Sequence, residues 1–411
     1  MKILFLSQYY KPDIVAGTHL VVSLIEDMCK SGIDVTLITQ MPSRGVDQED
    51  INFYKTKKIE KMHNLTIHRV EVKHKKQSFI NRALHDIGSN CRIFLKALFV
   101  TTDVIFTYST PPTMGLIAVI LGKIKRVPVV YNLQDIFPDS IINSGVNHSK
   151  LLIFCGKIIE KISYRWSTRI VVISKDFKKI IMNRGVPESK IDLIYNWIDE
   201  NEVFDIPRNE NKLFDKYHLD RDKFYITYCG NIGHTQNLEL LLEVADELKS
   251  NIDINFVIIG DGNHKSFIKK IIDEKNLNNV YLLPFQPYKD IAHVYSLGDI
   301  GIIISKKNIG KNSFPSKTWS IMSASRPVIA SFDLDSELCS IIQEAKSGIC
   351  VQVDDKILLK SAMMELFDNK DNAKNNGLNG RICVLENFKR EVGTSKYTEI
   401  INSFSKPKII N

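Results

Sequence analysis

Short apolar runs recur along the chain, each followed by a polar, turn-prone loop and then by a stretch whose apolar positions repeat every three or four residues. That alternation of buried strand, loop and amphipathic helix predicts an α/β architecture with parallel sheets. In the amino-terminal half, strands are expected at Lys2–Ser7, Asp34–Thr39, Thr102–Tyr108, Val127–Tyr131, Arg169–Ser174 and Ile191–Tyr195. Helices are expected through Leu20, Leu24 and Met28, and over Leu116–Lys125, Lys150–Trp166 and Lys175–Asn183. The polar stretch Glu200–Lys212 reads as a link between domains, and the alternation then restarts. Strands follow at Phe224–Cys229, Asn255–Ile259, Val280–Leu283, Ile300–Ile304, Val328–Ala330 and Ala345–Val353, with helices over Leu238–Leu248, His264–Lys275, Ile357–Phe367 and Asn387–Phe404 and a short one opening near Ser316. A chain of 411 residues exceeds one ordinary core, so two Rossmann-like domains are predicted, at 1–200 and 213–385, with a closing segment at 386–411.

Composition narrows the class. Hydrophobic residues make up 44% and charged residues 25%, the balance of a soluble globular protein. The net charge of +8 comes without an Arg-rich helix carrying interleaved aromatics, so an anionic substrate or membrane face is expected and nucleic acid is not. Seven scattered cysteines, none in Cys-x-x-Cys spacing, point to a reducing compartment and no zinc site. The opening Met1–Gln8 reads as a first strand, too short in apolar residues for a signal-peptide core, and no apolar run reaches membrane-spanning length. Between Lys55 and Arg92, ten Lys or Arg residues stand against Glu60, Glu71 and Asp86, and apolar positions from 80 to 98 fit one helix face. This basic region, 55–96, fits either an amphipathic helix on an anionic bilayer or a core helix with a solvated basic rim.

Candidate chemistry gathers where strands give way to loops, since ligands of open α/β sheets bind at the carboxyl ends of the strands. The stretch Asn312–Ala330 runs from a polar loop into a short helix after the strand Ile300–Ile304, with Ser316 as a cap and Lys317 in the first turn. A cation there suits a phosphate, or is a surface lysine beside an ordinary cap. Gly230, Asn231, Gly233 and Gln236 follow one strand, Gly260 and Gly262 the next, and Phe285 a third. Each glycine fits a tight turn as well as a close approach to ligand, but together these loops suit a nucleotide diphosphate. In the first half, Asp13 and Gly17 lie in the loop after the first strand, without the Gly-x-Gly-x-x-Gly of a dinucleotide site. Asp135, in a loop among aromatics, reads as an active-site carboxylate or as the cap of the next turn.

Several ordered motifs then carry a resemblance: Tyr228-Cys-Gly-Asn-Ile-Gly-His-Thr-Gln-Asn-Leu-Glu239, Ile259-Gly-Asp-Gly262, Phe314-Pro-Ser-Lys317, Ser325-Arg-Pro-Val-Ile-Ala-Ser331, Asn196-Trp-Ile-Asp199 and Gln134-Asp-Ile-Phe-Pro-Asp-Ser140. Over nearly its whole length the chain resembles the family 4 glycosyltransferases of the GT-B fold, near the branch of bacterial N-acetyl-L-fucosamine transferases. The resemblance implies two Rossmann-like domains facing across a cleft, with a last helix crossing back to the first. It implies retaining transfer of a sugar, an N-acetylated deoxyamino sugar by this branch, from a nucleotide diphosphate donor to a lipid-linked oligosaccharide in O-antigen or capsule synthesis. A UDP-sugar co-substrate, no other cofactor, no metal and a cytoplasmic place on the inner face of the plasma membrane are implied as well. Lys317 is then the diphosphate cation and Asp135 the acceptor-orienting or transition-state-stabilising carboxylate. Gly230, Asn231, Gly233, Gln236, Gly260, Gly262, Phe285, Ser316 and Ser320 fall on the donor side, Asp13 and Gly17 on the acceptor side.

The family pattern is broken in three places. Two glutamates common in the family fall on Asn312 and Ser320, its loop arginine on Asn231, and its first-domain histidine on the loop Ser109-Thr-Pro-Pro112. Two alternatives stand beside the transferase reading: a nucleotide-sugar epimerase on the same fold, which needs no acceptor, and a non-catalytic partner subunit, for which the lost glutamates argue.

Overall fold

The computed structural model describes residues 1–405 apart from 16, 72–78, 140–149, 308 and 311–313, and for 79–87 and 152 the backbone alone. Two compact units emerge, one built on 1–139 and 147–195 together with the chain from 393 onward, the other on 196–392. Of the expected site, Asn312 and the basic-patch residues Lys73, Lys75 and Lys76 lie outside the described residues.

The first unit holds an eight-stranded sheet: β1 Lys2–Leu6, β2 Asp34–Gln40, β3 Ile59–Met62, β4 Leu65–Val70, β5 Val104–Tyr108, β6 Val129–Leu133, β7 Arg169–Val172 and β8 Ile191–Leu193, in spatial order β3-β4-β2-β1-β5-β6-β7-β8. Every pairing is parallel except β3 with β4. Strands buried on both faces lose the polar alternation of one-sided sheets, and β5 and β6 are buried throughout. The last helix, Arg390–Asn402, brings Tyr397 into this unit's core. The Tyr397 hydroxyl accepts a hydrogen bond from Asn132 Nδ2 at the end of β6, and its ring meets Phe106 edge-on at 5.7 Å.

The second unit holds six parallel strands, β9 Phe224–Asn231, β10 Ile254–Asp261, β11 Val280–Leu283, β12 Ile300–Ile304, β13 Val328–Phe332 and β14 Gly348–Gln352, in order β11-β10-β9-β12-β13-β14. The chain winds outward one way from β9 and the other way from β12, so the sheet's switch point lies between these two strands. Its core joins Tyr228, Ile232, Leu241, Phe256, Ile302 and Leu359 in one buried cluster.

The sequence patterns missed several elements, among them a hairpin and two helices. The basic stretch after Lys55 contains an antiparallel hairpin, β3 and β4, in which Leu65, Ile67 and Arg69 face inward with period two. The helix that follows, Phe79–Leu98, buries Ile93 and Ala97 in the core while Leu95 and Lys96 face solvent, so its described side chains fit the core-helix alternative. The helix Gln48–Thr56 buries none of its residues, and the helix Lys370–Asn387 buries only Ala373, Gly377, Gly380 and Val384. Apolar periodicity does not register either surface, because one has no buried stripe and the other is made of small residues.

Tyr397→Phe removes the acceptor of a fully buried amide and is expected to destabilise the first unit by about 1–3 kcal/mol. A lowered first transition in differential scanning calorimetry, with Tyr397→Leu lower still, is the expected result.

Candidate functional site

At the switch point, β9 ends in Tyr228-Cys-Gly-Asn231 and β12 runs out at Ile304. The helix Lys317–Ser323 packs over this edge so tightly that a Cβ on Gly301 of β12 would stand 2.4 Å from the Ile321 side chain. Its residues Thr318–Ser323 are all buried, and Trp319 stacks on Phe388 with ring centroids 3.8 Å apart and planes within 10°. The helix is thereby fixed, and its first residue is the one that reaches out of the packing. The Lys317 ammonium lies 3.9 Å from the centre of the Tyr228 ring, within cation–π distance. A Cβ on Gly230 would lie 3.8 Å from the same Nζ atom. Among the described residues no carboxylate pairs with Lys317, and burial pushes its pKa down to about 8. Burial also raises the neighbouring Cys229 thiol to about 12, so it stays protonated and offers the lysine no counter-charge.

The helix start differs from the expected phosphate cradle. Ser316 makes no capping bond, and the helix is only seven residues long, too short to lend much dipole. The Thr318 and Trp319 N–H groups already donate to Pro315 and Ser316 carbonyls at 3.1 Å. The cation itself, not the helix end, is the anion-attracting element here.

The glycine loop also departs from expectation. Gly233 N–H donates to Gln236 Oε1 at 3.1 Å, Asn231 Nδ2 reaches the same oxygen at 3.3 Å, and Ile232 N–H donates to the Asp261 carbonyl at 2.8 Å. Of the Gly230–Gly233 amides expected to meet a diphosphate, those of 232 and 233 are therefore already engaged. Gly260 and Gly262 serve the backbone: a Cβ on either would stand 1.9 Å from the Gly230 carbonyl oxygen or 2.2 Å from that of Ile232. They let the ends of β9 and β10 run side by side, which sets Gly230 in place. Phe285, just past β11, leaves 56% of its surface exposed, while the adjoining Gln286 is buried and held by Tyr217 and Lys216. Ser320 is buried beside Tyr295, whose phenol pKa burial pushes up and the Ser320 side chain lowers in smaller measure.

In the first unit, the loop after β6 is pinned from two sides. Ser109 N–H donates to the Asn132 carbonyl at 2.8 Å, and Gln134 N–H donates to the Ser109 hydroxyl at 2.9 Å. Asp135 follows with an exposed side chain, yet protein atoms crowd its surroundings, and that desolvation pushes its carboxyl up to about 6. Asp13 is different. Its Oδ1 accepts from the Ser43 and Arg44 N–H groups at 2.7 and 2.8 Å, and the side chain is buried. It ties the loop after β1 to the loop after β2, so the expected acceptor contact at Asp13 is replaced by a structural one. Gly17 caps the helix Thr18–Lys30 at φ 84°, a left-handed conformation that glycine tolerates best.

Residues 17–202 match the model for Glycosyltransferase Family 4, and residues 209–382 match the model for Glycosyl transferases group 1. The chain belongs to the GT-B glycosyltransferases. It is 23% identical over 367 residues, 86% of this chain and 88% of the relative, to WcaI of Escherichia coli, which is named for colanic acid biosynthesis. It is likewise 23% identical over 372 residues, 87% of this chain and 86% of the relative, to the alpha-monoglucosyldiacylglycerol synthase of Acholeplasma laidlawii. The crystal structure of Anabaena HepE in complex with UDP and glucose shares the fold, with a TM-score of 0.75 at 15% identity over 98% of this chain and 100% of that one.

Sequence reasoning on this GT-B chain missed Tyr228 as the platform under Lys317, although it stands in the quoted motif. It also missed the pair formed by His264 Nε2 and Glu239 Oε1 at 2.7 Å. The signal for the pair was positional: Glu239 sits in the first turn of the helix after β9, and His264 precedes the helix after β10. Among the described residues no group of three His, Cys, Asp or Glu stands close enough to hold a metal ion, and no helix is long and apolar enough to cross a membrane.

A half-buried, desolvated cation with no carboxylate beside it costs stability. Folding lowers the Lys317 pKa, so the cost is full below about pH 8 and fades as pH rises toward the lysine's unfolded value. Lys317→Met is therefore expected to raise the melting temperature at pH 7, with the gain shrinking by pH 10. A lowered melting temperature at pH 7 contradicts an uncompensated charge.

Proposed function

We propose that this glycosyltransferase binds a nucleoside diphosphate sugar through its second unit, with the diphosphate on the Lys317 ammonium and beside Gly230. The observation that carries the reading is the unpaired, desolvated ammonium 3.9 Å above Tyr228 at the switch point of the sheet. An anion would supply the missing counter-charge and raise the lysine's pKa back toward its ordinary value. Phe285, exposed past β11, offers a ring face for the base. HepE, which shares the fold, holds UDP and glucose, and this supports a uridine donor.

The chemistry asked of these residues is charge stabilisation. As the bond from the anomeric carbon to the diphosphate oxygen breaks, its electron pair passes to that oxygen, and Lys317 stabilises the growing negative charge. The acceptor hydroxyl bonds the anomeric carbon on the departing face, and its proton passes to the leaving phosphate oxygen. Configuration is retained without a protein nucleophile. The counter-charge is assigned to Lys317 and not to a metal. Ionised Asp135 in the first unit orients the acceptor hydroxyl. We assign the acceptor to the lipid-linked saccharides of surface-polysaccharide synthesis and the donor to an N-acetylated deoxyamino sugar. The relative named for colanic acid biosynthesis supports surface-polysaccharide synthesis, and the one named for monoglucosyldiacylglycerol supports a lipid-borne acceptor.

Purified protein is to be incubated with a panel of UDP-sugars, with and without lipid-linked acceptor and with chelator present. Transfer that requires acceptor and survives chelation is expected. Donor turnover without acceptor identifies an epimerase, and neither activity from folded protein identifies a partner subunit. Lys317→Ala is expected to reduce kcat by about 10²–10³-fold, the scale of losing one transition-state charge contact. The rate–pH profile is expected to rise through about pH 6 as Asp135 ionises and to fall above about pH 8 as Lys317 loses its proton. Bound diphosphate moves the alkaline limb of kcat upward relative to that of kcat/KM. Asp135→Asn removes the acid limb, and a profile in that variant identical to wild type refutes the role given to Asp135.

A further inference from the structure

The helix Lys150–Trp166 of the first unit leaves uncovered side chains that a packed helix would bury. Leu151 is 69% exposed, Phe154 61% and Ile158 42%, and their spacing of three and four residues sets them in one row along the helix. Trp166, 41% exposed, stands at its end. The opposite side of the helix is the one that packs: Ser163 and Tyr164 are buried.

Beside the apolar row runs a row of cations. Lys157, Lys161 and Arg165, again four residues apart, are exposed and have no ion-pair partner among the described residues. The helix's acid, Glu160, pairs inward with Arg184, which also holds Asp139. These cations rim a groove of about 700 Å³, walled on its far side by Arg184 and Lys190. Lys190 donates to the Tyr164 and Arg165 carbonyls at 2.9 Å, so the groove wall is fixed to the helix's carboxyl end.

We propose that this helix is a docking face for an anionic lipid bilayer, with Leu151, Phe154 and Ile158 in the acyl boundary and the groove taking lipid phosphate. An apolar row flanked by lysines is the pattern of a helix that lies in the bilayer interface, its cations reaching up to the headgroups. The absence of an unpaired carboxylate along the described part of the row favours an anionic surface over a neutral one. The site differs from the basic region 55–96 singled out by sequence, whose described helix turns Ile93 and Ala97 into the core. It needs no donor or turnover, so it stands or falls apart from the proposed reaction.

Wild-type protein supplies its own probe, because Trp166 is the exposed tryptophan while Trp197 and Trp319 are buried. Vesicles of phosphatidylcholine with about three parts in ten phosphatidylglycerol are expected to shift Trp166 emission to the blue, and brominated lipid is expected to quench it. Phosphatidylcholine alone is expected to do neither. The variant Lys157→Gln/Lys161→Gln/Arg165→Gln is expected to sediment with anionic vesicles about a hundredfold more weakly, at about fivefold per charge, and Leu151→Ser/Phe154→Ser to lose binding at low salt as well. Circular dichroism checks that each variant folds, and the wild-type fluorescence decides without any substitution. Unchanged emission with anionic vesicles, equal response to neutral ones, or equal sedimentation of the charge variant overturns the proposal. So does a wild-type dimer that Leu151→Ser/Phe154→Ser converts to monomer without altering vesicle binding, since a second copy then covers the face.

Discussion

An ammonium crowded by protein atoms, with no carboxylate beside it among the described residues, is the constraint around which the second unit is built. Lys317 meets this condition because every later residue of its helix is committed to packing, so the side chain cannot swing back to solvent with its turn. The Trp319–Phe388 stack and the close approach at Gly301 hold the helix, and the Tyr228 ring holds the ammonium. The aromatic face returns only part of the lost hydration. What remains unsatisfied is a preference for an anion, and it is displayed at the point of the sheet where two oppositely wound halves leave a crevice.

The surrounding backbone is arranged to keep that preference focused on one spot. The ends of β9 and β10 lie so close that only glycine fits at 260 and 262, and the loop after β9 closes its own hydrogen bonds through Gln236. A loop already satisfied does not sag toward the lysine or quench it. It also means that an incoming anion meets a charge first and amides second: any hydrogen bond from Gly233 must be exchanged for the one Gln236 accepts. Electrostatic attraction is long in range and tolerant of geometry, whereas amide bonds are short and directional. This order of engagement suits a ligand that is first captured and then oriented.

Much of this was legible in the sequence, but unevenly. The parallel strands were readable because burial on both faces leaves unbroken apolar runs, as in Ile300–Ile304. Lys317 was readable because a cation in the first turn of a helix opposes the usual dipole preference. The roles of Gly260 and Gly262 were not, since a glycine that admits a ligand and one that admits a neighbouring carbonyl look alike in one dimension. Asp13 misled for a similar reason: a loop carboxylate that binds backbone amides across 30 residues has the same local sequence as one that faces a substrate. The helix Lys370–Asn387 stayed hidden because its inward stripe is alanine and glycine except for Val384, which leaves no apolar period. Asp135 was visible as a loop acid, but the crowding that raises its pKa is a property of the folded surroundings alone.

The serine at position 320 gains meaning from the same electrostatics. On a helix, residues three apart are neighbours, so a carboxylate at 320 would stand within reach of Lys317. It would pair with the ammonium, lift its pKa and cancel the field offered to a ligand. Ser320 is buried and neutral, so it leaves the lysine's charge uncompensated. The contact that a glutamate at this position would make with a donor's ribose is absent, and so is the competition it would bring. In the proposed reading, the arrangement exchanges a polar grip on the sugar end of a nucleotide for a stronger pull on its diphosphate. A donor proposed to bind here would then be held by its anion more than by its ribose.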